Sequence, residues 1–366
     1  MYAYPNFIGY GYSKCLTCHY NPYGNGPLTD YGRGLSATTI SDRILHASEK
    51  SEEQLAENSG FLYMKEFKSW VRPSVDYRGL SLDRNINTDD QENQFINMQG
   101  DLNLVLRYKG ENNLFTSITY GYAPVPESLE DQGIEEYRTR EHYIGWRPND
   151  DLGLYVGLMD KVYGIRIADH IAFSRTITAL TQNDQTHGLM GHYIKEDHEL
   201  GAHLFIGNLV QDEDLRQKGI SIKYENEVSY TFKPGISFLK SQNDYFVQEN
   251  MSVHSKLAFS KGSSLLIEVG QAKKTNDLNK TAVTSSYLMM QNHMYLRRGL
   301  LFFVNTDYLK PNNEIEVEVV RLGPGLQYFL SQGIELRLDL FNTKTYTPGS
   351  VTKDAWDSAM QVHLWF

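Results

Sequence analysis

Ile96-Asn97-Met98-Gln99-Gly100-Asp101-Leu102-Asn103-Leu104-Val105-Leu106-Arg107 alternates apolar and polar positions, with Val105 the only break. A period of two is the signature of a strand whose faces meet different surroundings. The chain closes the same way: Trp356, Ser358, Met360, Val362, Leu364 and Phe366 share one face, opposite Asp357, Ala359, Gln361, His363 and Trp365. A soluble sandwich would bury the apolar face, and a membrane barrel would turn it to lipid. Connection lengths decide between the two. Strands are expected near 61–78, 95–109, 113–123, 137–147, 151–159, 187–195, 198–209, 217–226, 228–240, 245–260, 263–273, 284–297, 299–309, 316–330, 333–345 and 356–366. Alternate connections are short, such as Glu196-Asp197 and Gly262, and the others mostly long, including 79–94, 124–136, 160–186, 274–283 and 346–355. Short turns on one rim and long loops on the other are the habit of outer-membrane barrels. The expected fold class is therefore all-β: a transmembrane antiparallel barrel of about 16 strands over residues 61–366, wide enough for an aqueous lumen. Both chain ends fall on the short-turn, periplasmic side, and the terminal Phe366 beside Trp365 resembles the assembly signal of such barrels.

Composition agrees. The chain has 366 residues, a net charge of −10 and a mean hydropathy of −0.47, yet carries 25 Tyr, 16 Phe and 4 Trp. Acidity argues against a nucleic-acid partner. Aromatics favour strands and membrane interfaces. No run of about 18 apolar residues occurs, so no helix here crosses a bilayer. The opening Met1-Tyr2-Ala3-Tyr4-Pro5 lacks the charged start and apolar run of a secretory signal, so an exported protein would be present in its processed form.

The chain's two cysteines stand as Cys15-Leu16-Thr17-Cys18-His19. C-x-x-C-H is the attachment pattern for c-type haem: each thiol adds to a vinyl group and the histidine binds iron. A redox disulfide, a structural disulfide closing a very small loop, and a zinc site compete with this reading, the last without further ligands at suitable spacing.

The residues that follow, His19-Tyr20-Asn21-Pro22-Tyr23-Gly24-Asn25-Gly26-Pro27 and then Tyr31-Gly32-Arg33, form a turn-rich wrapper. This stretch resembles the N-terminal module of bacterial outer-membrane proteins that begin with one haem site, continue through N-P-x-G-x-G and Y-G-R, and go on as a porin-like barrel. The resemblance covers about the first tenth of the chain. It implies one covalent haem c, with Cys15 and Cys18 as attachment points and His19 as proximal ligand. Arg33 is a candidate partner for a haem propionate, with an exposed solubilising role as the alternative. Residues 1–60 are then a haem segment and helical linker, and 61–366 the barrel. In the linker, 36–59, Ser36 and Ser51 are expected caps, the second with Gln54, and Ile40, Ile44 and Leu45 share a face. His46 is the nearest candidate for a sixth iron ligand, with Met64, a lumen histidine or an open position as alternatives.

Loop 160–186, the third long one, carries Lys161, Arg166, Asp169, His170 and Arg175 together with Tyr163, Ile165, Ile167, Ile171 and Phe173. So many apolar residues point to an inward, packed loop. His203, His293 and His363 fall on expected lumen faces, while His142 and His192 have ambiguous phase. No G-x-S-x-G, H-E-x-x-H or phosphate-cradling loop occurs, so no enzyme is expected.

These observations point to a monohaem barrel of the bacterial outer membrane, surrounded by lipid, taking part in electron transfer with a periplasmic or extracellular cytochrome. One haem is far thinner than a hydrocarbon core of about 30 Å, which makes such a partner necessary. A diffusion porin whose haem segment is a plug is the alternative, and a haem sensor or peroxidase a third. A homotrimer follows from fold analogy alone.

Overall fold

The computed structural model describes residues 6–24, 26–44, 49–65, 68–131, 133–169 and 172–366. Among them, sixteen strands pair antiparallel with their sequence neighbours, and β1 with β16 closes the barrel. They are β1 Val71–Arg84, β2 Glu92–Arg107, β3 Leu114–Tyr122, β4 Tyr137–Trp146, β5 Leu152–Met159, β6 Thr186–Lys195, β7 His198–Phe205 and β8 Lys218–Asn226. The second half comprises β9 Phe232–Gln242, β10 Phe246–Ser260, β11 Ser263–Asn276, β12 Ala282–Arg297, β13 Leu300–Lys310, β14 Glu318–Ser331, β15 Ile334–Thr347 and β16 Ser350–Trp365.

The alternation that opens the sequence reading is here turned inside out relative to a soluble protein. In β2 the polar set Gln99, Asp101, Asn103 and Arg107 is buried, while Leu102 is 62% exposed. In β16 His363 is fully buried and Met360 is 62% exposed. Side chains such as Ile144, Val156, Leu204, Ile236, Met251 and Val269 continue this outward apolar band. Exposed aromatics flank it: Trp70, Tyr108, Trp146, Tyr193 and Tyr230 towards the short turns, Phe95, Tyr120, Tyr137, Tyr245 and Tyr346 towards the long loops. Apolar waist and two aromatic girdles are what a bilayer imposes on a barrel exterior.

Inside, charge is matched pair by pair. Arg140 Nη1 lies 2.7 Å from Asp101 Oδ2, and Arg321 Nη2 2.5 Å from Asp307 Oδ2. Arg337 Nη2 is 2.6 Å from Asp339 Oδ1. Yet Ser117, Ser221 and Lys233 on this inner face are almost wholly inaccessible, so no wide water column runs past them. Two chain segments fill the bore.

One is the N-terminal segment, tied around the wall near the short turns. Asp30 receives Arg72 of β1 (2.5 Å) and Arg107 of β2 (3.0 Å), and Arg147, after β4, donates to the Tyr20 carbonyl (3.1 Å). Opposite, Gly262 N bonds the Gly9 carbonyl, Asp42 N the Phe329 carbonyl, and Arg298 Nε the Ser41 carbonyl (2.7 Å). The other filler is the 160–185 connection, which folds inward as its apolar content requires: Val162, Ile165, Ile167 and Ala172 are buried. It crosses the lumen to β9 and β11, where Gly164 N donates to Ser237 Oγ (2.9 Å) and Ile165 N to Glu268 Oε2 (2.5 Å).

Several boundaries differ from the sequence reading. The first strand begins at Val71, not 61. Phe61–Tyr63 is a 3₁₀ turn with Leu62 and Tyr63 at positive φ, a conformation incompatible with strand pairing. β1 then runs to Arg84, into the expected 79–94 loop. The expected 346–355 loop is a tight turn at Pro348-Gly349: proline presets its own φ, Gly349 takes φ 79°, and β15 and β16 pair up to Thr347 and Ser350. In the linker, Ser51 and Gln54 form the expected capping box. Ser36 caps nothing; it lies within a continuous helical run whose cap is Thr29. Ile40 is buried there, Ile44 is exposed, and Leu45 lies outside the described residues.

Candidate functional site

Cys15 begins a single 3₁₀ turn, Cys15–Thr17, in which Cys18 N (3.1 Å) and His19 N (3.0 Å) both bond the Cys15 carbonyl. Helical winding puts residues three and four apart on one side. The two sulfurs and the imidazole therefore share a face. Residues 20–27 turn back on themselves: Asn21 Oδ1 accepts from Tyr23 N (3.0 Å), and His19 pairs with Leu28 as an isolated bridge. The returning strand bonds Thr29 N to the Cys18 carbonyl (2.8 Å), and Thr29 Oγ1 caps helix Asp30–Leu35 through Gly32 N (3.1 Å).

That helix rests directly on the cysteine turn, and Gly32 makes the approach possible. A Cβ at position 32 would lie 2.4 Å from the Cys18 carbonyl oxygen and 2.9 Å from its Cα, both backbone atoms. Gly32→Ala should therefore push the helix off the turn at about 1–3 kcal/mol, the range for overpacking. The check is a lower urea midpoint for the folded barrel; an unchanged midpoint means the helix is free to shift.

The turn forms one side of a lumen cavity that opens between the plug, the inward loop and the wall. Plug residues Tyr12 and Leu28 continue the lining, the inward loop adds Tyr163, Ile165 and Leu180, and the wall adds Leu266. Cys15 and Cys18 are both free thiols. Burial pushes both thiols up, Cys18 to about 12, and pulls His19 down to about 3. The imidazole is thus neutral at physiological pH, with Nδ1 buried and without a hydrogen-bond partner. A neutral ring is the form that ligates a metal. Two thiols and an imidazole on an apolar face suit a flat, covalently attached, iron-containing group.

Other residues singled out in the sequence are placed as follows. Arg33 is buried but does not line this cavity. It faces a neighbouring one of about 430 Å³ with Ser74, Asp76 and Trp365, and its Nη2 donates to the Pro73 carbonyl (2.9 Å). The reason is the helix face it shares with Asp30, which Arg72 and Arg107 hold against β1 and β2. Burial of Arg33 excludes the exposed, solubilising role that the sequence left open. His46 lies outside the described residues. Met64 is exposed beyond the Phe61–Tyr63 turn. His203, His293 and His363 are buried on the inner face, and His192 joins them, 2.9 Å from Glu199. His142 shares the outward phase of Ile144 and stands 5.2 Å from His187, ring centre to ring centre. Among the described lining residues only His19 is a histidine.

The sequence reading named the charges of the inward loop but not the cations that join them from the plug and the wall. Lys14, Lys161, Arg166, Arg175, Lys223 and Lys256 line it, and no Asp or Glu does among the described residues. Strand phase is the signal that could have found Lys223, since Ser221, Lys223 and Glu225 alternate with Ile222 and Tyr224. What phase could not reveal is that β8 and β10 face the cysteine turn.

Neither family models nor curated protein sequences match this chain. Solved structures match in fold. OmpT, an outer membrane protein of Vibrio cholerae, superposes with TM-score 0.63 at 9% identity over 82% of this chain and 99% of that one. The anion-selective porin from Comamonas acidovorans gives 0.61 at 10% identity over 81% and 99%. OprB of Pseudomonas putida gives 0.62 at 9% over 90% and 100%. The fold is that of a porin-like bacterial outer-membrane barrel.

Proposed function

We propose that this barrel carries one haem c inside its lumen, attached through Cys15 and Cys18 with His19 as proximal ligand, and that the haem takes part in electron transfer at or across the outer membrane. The observation that supports this most directly is the convergence of both thiols and a neutral, buried imidazole on one lumen cavity. When bound, such a group supplies a reversible one-electron couple, tuned by its axial ligands and burial. The chain's own part is to hold the group away from bulk water. Tyr20 contributes by wedging against Phe115 of the wall, ring centres 5.1 Å apart, so the turn before it cannot swing out. A partner cytochrome must come to the lumen, since one haem does not span the bilayer.

A second reading, a channel in which the haem segment is a plug, is favoured by the likeness to porins and by the inward loop. The cationic cavity would suit anions, the selectivity named for the Comamonas porin. Trimeric assembly is proposed on the trimer form of OmpT.

The deciding experiment is a haem stain of outer-membrane fractions on a denaturing gel, with and without heating. The expected band shifts in mobility on heating, as a folded barrel unfolds, and stains before and after. A heat-modifiable band that never stains would remove the haem from both readings and leave a plugged channel.

A further inference from the structure

The cavity brings together two chain segments that sequence order separates. The N-terminal plug supplies the thiols and His19, and the inward loop supplies Lys161 and Tyr163. In a chain of net charge −10, six cations and no carboxylate among the described lining residues form a marked local surplus. Part of it is neutralised. Lys223 (2.9 Å) and Lys256 (2.8 Å) share Glu225, which also takes Lys233 (3.2 Å), itself paired with Glu199, so three ammonium groups are met there by two carboxylates.

Lys161 differs from these. It is buried, and its Nζ donates to the Ala179 carbonyl at 3.1 Å within its own loop. It also lies over the Phe205 ring, 5.8 Å from the centre. Among the described residues no carboxylate lies within ion-pair distance of it; nearby Asp184 accepts from Thr181, and Asp160 is engaged by Arg166 and by Gln185 (3.0 Å). A buried ammonium is retained at a cost unless something anionic completes its surroundings. Haem carries two carboxylates, which the thioethers leave free.

We propose that Lys161 receives a propionate carboxylate of the haem, so that the cofactor bridges the cysteine turn of the plug to the inward loop and holds that loop in place. This rests on the haem reading and adds the residue that meets the acidic edge of the cofactor. Loop and plug otherwise meet through apolar packing, Ile8 against the Ile165 and Ile167 cluster and Tyr23 in one cluster with Val162, so without the group the loop loses its polar tie to the N-terminal segment. Loop order then reports haem occupancy, a coupling between cofactor loading and the shape of the bore.

The test uses the full-length barrel purified from membranes. Haem stain of the wild type is read first, because a chain without haem overturns the underlying reading and not this assignment. With haem present, Lys161→Met should keep the covalent stain, lower the midpoint potential by loss of a positive charge, and raise trypsin cleavage between residues 161 and 175 by about tenfold through easier local opening. Lys161→Arg should restore both. Unchanged potential and unchanged protection in Lys161→Met overturn the proposal. Because Lys161→Met could fail to fold, a second arm leaves Lys161 intact. The Cys15→Ser/Cys18→Ser chain, folded and free of haem, should show the same rise in cleavage, and inorganic phosphate should not reverse it. A haem-free loop as protected as the wild type overturns the bridging role. Full protection by phosphate alone assigns the site to a soluble anion and overturns the propionate assignment.

Discussion

Deleting residues 6–41 should convert a filled barrel into a conducting pore, with single-channel conductance in planar bilayers rising by about tenfold or more, because barrels of sixteen strands leave an aqueous channel when nothing occupies it. The expectation rests on how the lumen is filled. Inner-face residues such as Ser117 and Ser221 are sealed from solvent, and the segment that seals them is bonded around the short-turn rim through Asp30, Tyr20, Gly9 and Asp42. The wall does not depend on it: sixteen continuous ladders, β1 to β16 included, close without a plug residue. Heat-modifiable migration of the deletion variant checks that the wall is intact. A folded variant with wild-type conductance would show that the inward loop alone blocks the bore, and that the plug has no part in gating.

The second large effect concerns the cysteines. Serine at both Cys15 and Cys18 should abolish the covalent haem signal while leaving a heat-modifiable barrel, since the strand ladders close the wall without either residue. Serine at Cys18 alone should leave the haem loosely held and mostly lost on denaturation. The same double variant separates the two functional readings. If solute flux into liposomes is unaffected while reduction by a cytochrome partner is lost, electron transfer is the role. If flux rises and the wild-type haem shows no reversible reduction, the plug reading stands. The spectrum of the wild type adds a third constraint: low-spin, six-coordinate iron counts against peroxidase chemistry, and high-spin iron that binds carbon monoxide counts for it. A stain that survives denaturation in the double-serine variant would refute thioether attachment outright.

Much of the architecture was legible because a barrel is built from local rules. Alternation sets which face of each strand meets lipid, and a β-hairpin pairs neighbours in sequence, so correct strand and turn assignment yields the topology with no long-range information. The failures were at places where local pattern is silent. Phe61–Tyr63 carries strand-favouring residues, and only the packing of Tyr63 against Phe366, ring centres 5.5 Å apart, shows why the chain turns there. Residues 350–355 read as loop because polar residues crowd them, yet β15 and β16 extend beyond the apolar band, where a ladder needs no greasy face.

The candidate site divides in the same way. Cys15, Cys18 and His19 were readable because their spacing is itself the chemistry: one helical turn suffices to put them on one face. Inward packing of loop 160–186 was readable from its apolar content. The direction of Arg33 was not readable, because sequence shows that a guanidinium is near the motif but not which way its helix faces, and Asp30, pinned by Arg72 and Arg107 from residues some forty and eighty positions away, turns it towards β1. The sequence by itself determined a closed antiparallel wall and a turn that puts two thiols and an imidazole on one face, since both depend on contacts between residues close in the chain. The tertiary structure alone decided what faces that motif. Lys161, Lys223 and Lys256 come from an inward loop and two distant strands, and closure of the barrel in space, which no local pattern encodes, is what brings their charges onto one cavity.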